Sequence, residues 1–260
     1  MKKMMAKYVV FSYLGFYVFL AVIAFTMYVL KLELLAQVLI KVSAWTSTFV
    51  FALLFKKIYP GDSFFRFVAG QFRERIKPAI LLTAFGIPAL TFAGCILFFG
   101  IFDNQPLSGL MVLSPAALAT VFFMTIIAGP LGEELGWRAF FLTELRKKNR
   151  PLKSALITGF FWGFWHAPLW FLLSGLSGLN LLVYCVCFMV YIISFTVIMT
   201  LLYGENRNLI ITIIMHLLVN YSMNIQKTQP LRIMIVNTAI TVIIALICAA
   251  VFKFIIKRKI

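Results

Sequence analysis

The residues of this chain that can do chemistry are six polar side chains placed inside strongly apolar segments. An ionisable group in the hydrocarbon region of a membrane costs several kcal/mol unless it faces a polar interior, so each one is a candidate for function. The set contains two adjacent carboxylates, a guanidinium, a carboxamide and the only two imidazoles in the sequence. Its members are Glu133, Glu134, Arg138, His166, His216 and Asn220.

The spacing of these residues predicts which of them meet. Glu134 and Arg138 are four positions apart, so on a helix they share one face and can form an ion pair. His216 and Asn220 have the same spacing, which puts an imidazole and a carboxamide on one helix face. His166 lies in the segment FFWGFWHAPLW, whose proline weakens the local helical hydrogen bonds. Broken backbone of this kind is tolerated at membrane depth where it lines a protein interior or a watery cavity.

Two kinds of hydrolytic chemistry fit this set. A carboxylate and an imidazole can orient and deprotonate a water molecule, while a second imidazole and a carboxamide can donate hydrogen bonds to an oxyanion. The alternative is a metal centre, because Glu133, His166 and His216 match the usual three-ligand shell of a catalytic zinc. The sequence has no H-E-x-x-H motif, so spacing alone does not choose between them. Metal-dependent and metal-free hydrolysis of a peptide bond both stay open at this point.

The segments that must carry these residues are long apolar runs. Of the 260 residues, 63% are hydrophobic and 12% are charged, which is more apolar surface than a soluble domain of this size can bury. A run of about 20 apolar residues is long enough to cross a bilayer. The sequence therefore predicts an all-α polytopic membrane protein with about eight transmembrane helices. These runs cover residues 8–30, 35–55, 79–102, 115–143, 152–173, 181–203, 209–225 and 232–256.

The basic residues lie between the apolar runs and predict the topology. Nineteen of the 24 Lys and Arg residues fall on one side of the eight runs and three on the other, so both termini are predicted to be cytoplasmic. This distribution favours lipid headgroups over nucleic acid as the partner of the positive charge. Measured from the cytoplasmic ends at about 1.5 Å per residue, the candidate residues of the fourth, fifth and seventh runs lie about 10 to 21 Å deep. Three separate helices can therefore bring them to one cavity.

The chain divides into three parts around the candidate residues. Residues 1–114 are predicted to form N-terminal transmembrane helices, residues 115–225 the catalytic core, and residues 226–260 a C-terminal transmembrane helix. Within the first part, residues 63–78 alternate aromatic and basic side chains at helical spacing, which predicts an amphipathic helix in the cytoplasmic headgroup region.

Three short motifs resemble those of the CPBP family of intramembrane proteases. This family includes the type II CAAX prenyl endopeptidases and bacterial proteins of bacteriocin processing and self-immunity. The segment EELGWR (133–138) is similar to its Glu-Glu-x-x-x-Arg motif, and HLLVN (216–220) to its His-x-x-x-Asn motif. In WGFWH (162–166), Trp162 replaces the Phe of the family's Phe-x-x-x-His motif. The resemblance covers roughly residues 115–225.

The resemblance implies a role for each candidate residue. Glu133 and His166 would activate the attacking water, and His216 and Asn220 would stabilise the oxyanion. Glu134 and Arg138 would support the site. The implied protein is an integral membrane endopeptidase, with a bacterial plasma membrane as the expected location and a membrane-associated or lipidated peptide as the expected substrate. The alternative is a non-catalytic immunity or regulatory scaffold in which these polar residues only bind helices together.

Overall fold

The computed structural model describes residues 1–258, which fold almost entirely into helices. The helices are α1 (Lys2–Tyr28), α2 (Glu33–Ser43), α3 (Thr46–Ile58), α4 (Phe64–Gly70), α5 (Pro78–Phe102), α6 (Leu107–Leu110), α7 (Pro115–Ile127), α8 (Pro130–Glu134), a π-helical segment (Leu135–Leu142), α9 (Thr143–Arg146), α10 (Pro151–Trp165), α11 (Ala167–Leu173), α12 (Gly178–Glu205), α13 (Leu209–Ile225) and α14 (Pro230–Arg258). The prediction of an all-α protein is confirmed.

Six of these stretches are long and apolar enough to cross a membrane. They are Lys2–Tyr28, Pro78–Phe102, Pro115–Arg146, Pro151–Leu173, Gly178–Glu205 and Pro230–Lys253. The bent pair formed by α2 and α3 makes a seventh if it is counted as one span. Within the described chain the number is thus six to seven, and the predicted count of eight is not confirmed. The seventh predicted run, 209–225, corresponds to α13, which has 17 residues and packs among α5, α7 and α12. Its apolar character reflects burial in the middle of the protein.

The predicted span 35–55 is interrupted at Ala44 and Trp45, where α2 and α3 meet at an angle of 49°. At this bend, Trp45 Nε1 donates a hydrogen bond to the carbonyl oxygen of Ile127, at 2.9 Å. Gly132 lies against the same bend, and a β-carbon there would come within 2.9 Å of the Ala44 carbonyl oxygen. The bent pair therefore packs tightly against the end of α7 and the start of α8.

The predicted span 115–143 is also irregular. Helix α7 ends at Ile127, and α8 begins at Pro130, which has no N–H to continue the preceding helix. After α8 the chain widens into the π-helical segment, and the Thr143 hydroxyl donates to the Arg138 carbonyl oxygen at 3.0 Å. Single stretches of π-helix are often found at functional sites. In this chain the stretch begins directly after the two adjacent glutamates.

The predicted amphipathic helix at 63–78 is shorter in the structure, where only Phe64–Gly70 is helical. The following segment is held in an irregular form by two asparagines that precede α13. Asn206 accepts a hydrogen bond from the Lys77 backbone N–H at 2.9 Å, and Asn208 Nδ2 donates to the Glu74 carbonyl oxygen at 2.7 Å. These bonds anchor the start of α13 to the chain between α4 and α5. The interfacial location of α4 stays a prediction.

Candidate active site

The centre of the candidate site is a buried network around Glu134. Its Oε1 lies 3.1 Å from Arg138 Nη1 and 2.8 Å from His216 Nδ1. Glu134 and Arg138 are completely buried, and His216 is nearly so. The ion pair follows from the four-residue spacing, because the helix continues from α8 into the π-helical segment without a break. The third member, His216, lies on α13, so the network connects α13 to the helix formed by α8 and the π-helical segment.

The other glutamate points towards α10. Glu133 Oε2 accepts a hydrogen bond from Trp162 Nε1 at 2.7 Å and lies 3.7 Å from His166 Nε2. His166 lies between the end of α10 and the start of α11, where the helical hydrogen bonds are interrupted. Glu133 is 4% exposed, so its carboxylate is almost fully removed from the surface. The two adjacent glutamates therefore contact different residues: Glu133 contacts the end of α10, and Glu134 contacts Arg138 and α13.

The hydrogen bonds fix which nitrogen of each imidazole carries its proton. His216 Nδ1 faces a carboxylate paired with Arg138, and His166 Nδ1 faces the Trp162 carbonyl oxygen at 2.7 Å. Both partners are acceptors, so each Nδ1 is the donor. In the neutral ring, Nε2 then has a free lone pair. It donates a hydrogen bond only when the ring is protonated.

Three polar atoms converge on one point beside Gly129. A β-carbon built on this glycine would lie 3.2 Å from Asn220 Nδ2 and 3.6 Å from both Glu133 Oε1 and His216 Nε2. The three polar atoms therefore surround a small space next to Gly129, and glycine leaves it open because it has no side chain. A water or substrate oxygen would lie in this space, farther from the Gly129 α-carbon than a β-carbon and nearer to the three polar atoms. We call this space the reaction position.

Replacing Gly129 with Ala is expected to lower kcat by about 100-fold, because its methyl group would project into the reaction position and displace a reacting oxygen by about 1 Å. The measurement is the rate of peptide cleavage by the purified variant. Gly86→Ala is the matched control, since a β-carbon at Gly86 on α5 meets nothing within 4 Å. A Gly129→Ala variant with the activity of the control would show that this position is not used in the reaction.

The arrangement of donors fits a metal ion only in part. Glu133 Oε1 and His216 Nε2 face the same point, and the Nδ1 bond of each imidazole is of the kind that orients metal-binding histidines. However, His166 Nε2 approaches the other carboxylate oxygen of Glu133. Among residues 1–258, no three His, Cys, Asp or Glu side chains are grouped closely enough to hold a metal ion. We therefore derive no reaction step through a metal.

The structure brings all six predicted site residues into one cluster from the α8 region, the α10–α11 junction and α13. Sequence reasoning missed two contributions. Trp162 supplies an indole N–H to Glu133, and the only signal was its place in the Phe position of a motif. Gly129 borders the reaction position, and the only signal was the Gly-Pro pair before the glutamates.

Comparison with known proteins agrees with these observations. Residues 115–222 match the family described as type II CAAX prenyl endopeptidase Rce1-like. The match includes all six candidate residues and confirms the predicted resemblance to the CPBP and CAAX proteases over this segment. No curated protein matches the chain. The apolar helices support an integral membrane protein, and residues 115–222 are similar to CAAX-type endopeptidases.

Proposed function

We propose that this protein, with its type II CAAX endopeptidase domain, is an intramembrane endopeptidase that cleaves a peptide bond with an activated water molecule. The observation that carries the proposal is the convergence of Glu133 Oε1, His216 Nε2 and Asn220 Nδ2 on one point beside Gly129. Hydrolysis requires a base and an acceptor at the water oxygen and a neutral donor at the adjoining oxyanion.

In the first step, Glu133 acts as the general base. The water oxygen forms a bond to the carbonyl carbon of the substrate, and one water proton passes to Glu133 Oε1. His216 Nε2, as the neutral acceptor, receives a hydrogen bond from the second water hydrogen and so orients the oxygen. The tetrahedral intermediate then carries its negative charge on the former carbonyl oxygen.

Asn220 stabilises this oxyanion by donating a hydrogen bond from Nδ2. The family resemblance implies the same role for His216, but a neutral ring with its proton on Nδ1 has no N–H at Nε2, so in this proposal His216 orients the water instead. Collapse of the intermediate breaks the C–N bond, and the proton held by Glu133 passes to the leaving amine. His166 Nε2 lies 3.7 Å from the other oxygen of this carboxylate, Oε2, and so adjoins the base on the side away from the water.

The buried pair of Glu134 and Arg138 has a supporting role. The carboxylate of Glu134 accepts a hydrogen bond from Nδ1–H of His216 and so keeps Nε2 facing the reaction position. Arg138 neutralises the carboxylate, which would otherwise be an unpaired buried charge. We propose a membrane-associated or lipidated peptide as the substrate and a bacterial plasma membrane as the location.

The test is proteolysis by the purified protein in lipid nanodiscs, with membrane peptides from its native host as substrates. The reaction is run in water enriched in ¹⁸O, and products are identified by mass spectrometry. We expect new C-terminal carboxylates that contain ¹⁸O in the wild-type sample and none with the Glu133→Gln variant. Equal product lists from both samples would refute the proposal. An absence of ¹⁸O-labelled products from both samples would favour the non-catalytic scaffold instead.

A further inference from the structure

We propose that Trp162 is a positioning residue for the reaction, whose indole N–H holds one oxygen of Glu133 so that the other faces the reaction position. This inference rests on the proposed function and specifies how its general base is oriented. It concerns this chain in particular, because the related motif has Phe at this place, and a phenyl ring has no N–H to donate.

The two oxygens of the Glu133 carboxylate have different surroundings. Oε2 receives the Trp162 indole N–H at 2.7 Å, the length of a hydrogen bond to a charged group. Oε1 is one of the three polar atoms that surround the reaction position, 3.6 Å from where a β-carbon on Gly129 would lie. With Oε2 engaged, the carboxylate cannot rotate freely, and Oε1 is the atom left to accept the water proton.

Trp162 is itself held by several members of the site. The guanidinium of Arg138 lies over its ring, with Cζ 3.6 Å from the ring centroid, and the His216 ring meets it edge-on at 5.1 Å. Its backbone carbonyl oxygen accepts a hydrogen bond from Nδ1–H of His166. The side chain is 1% exposed. One residue thus links the general base to both imidazoles and to the buried ion pair, so its orientation is well fixed.

A purely structural role would need only the aromatic ring, which Phe would also provide. What distinguishes the proposed role is the N–H group and its acceptor. The chain offers a matched comparison in Trp137, which is also fully buried. Its Nε1 has no hydrogen-bond partner among the described residues. Replacing each Trp with Phe removes the same N–H from two buried sites, and only one of them contacts the carboxylate.

The first measurement is steady-state cleavage by the Trp162→Phe and Trp137→Phe variants. We expect Trp162→Phe to lower kcat by about 10- to 100-fold, the usual effect of losing one hydrogen bond to a charged group, and to leave KM within about twofold. Trp137→Phe should keep the wild-type kcat. Wild-type kcat in Trp162→Phe would overturn the inference, as would a rise in KM at unchanged kcat.

The second measurement does not depend on activity. In a ¹H–¹⁵N spectrum of protein with labelled indoles, the Trp162 signal is identified by its absence in Trp162→Phe. We expect it to shift when Glu133 is replaced with Ala, while the Trp137 signal stays in place. An unmoved Trp162 signal would overturn the inference even if the wild type cleaves peptides. If the signal moves but the wild type cleaves nothing, the proposed function fails while the contact is established.

Discussion

Glu133→Gln is expected to lower kcat by about 1,000-fold, within the range that general-base catalysis supplies. The glutamine side chain has the same shape, and its oxygen can still accept the Trp162 N–H. It has no carboxylate oxygen to take a proton from water, so the attacking nucleophile is lost. Substrate binding should change little, because the reaction position beside Gly129 is still open.

The measurement is kcat and KM for one identified substrate, together with the thermal unfolding of each variant in detergent. Glu144→Gln is the matched control, since Glu144 is another buried glutamate and binds Tyr59 and Lys147 away from the cluster. It should keep the wild-type kcat. If Glu133→Gln retained more than a tenth of the wild-type kcat, Glu133 would not be the base.

Arg138→Met is expected to lower the free energy of unfolding by about 3 to 5 kcal/mol, the usual effect of removing one member of a buried ion pair. The variant would leave the Glu134 carboxylate buried with only the neutral ring of His216 as a partner. The cost is that of an unpaired charge, so it should be relieved when the charge is removed. The double variant Glu134→Gln with Arg138→Met should recover most of the lost stability.

These free energies can be measured by reversible unfolding in mixed detergent micelles. Arg232→Met gives the comparison, because Arg232 pairs with Asp103 at 2.7 Å near the surface. Exposed pairs contribute little to stability because water screens them, so this variant should stay close to the wild type. A double variant no more stable than Arg138→Met alone would show that lost packing, and not the unpaired carboxylate, causes the destabilisation.

The sequence predicted the helical class and most of the long spans because apolar runs of bilayer length are strong signals. It could not predict the bend at Trp45, since that bend depends on a hydrogen bond to Ile127, a residue far along the chain. The end of α4 at Gly70 was missed for the same reason. Asparagines before α13 bind the backbone after α4, and local hydrophobic pattern carries no information about them.

Residue types and spacing were enough to predict which residues of the candidate site share a helix face. The spacing of Glu134 and Arg138 indicated their ion pair, which the structure contains. The partner of His216 was not predictable, because its contact with Glu134 depends on how α13 packs against α8. The separate neighbours of the two Glu133 oxygens also depend on packing. Their roles in catalysis stay predictions that the variants above test.

The wide turns between Leu135 and Leu142 affect how distant relatives should be compared with this chain. A π-helical turn amounts to one residue inserted into an α-helix, so everything after it is rotated by roughly 100° from the regular register. A relative one residue shorter here would keep a regular helix and present different side chains to its neighbours. Aligning two such proteins without a gap would equate positions that point in different directions. When the effect of a substitution after Arg138 is transferred from one such protein to the other, the equivalent residues should therefore be chosen by superimposing the two structures. A sequence alignment without the gap would pair the wrong residues.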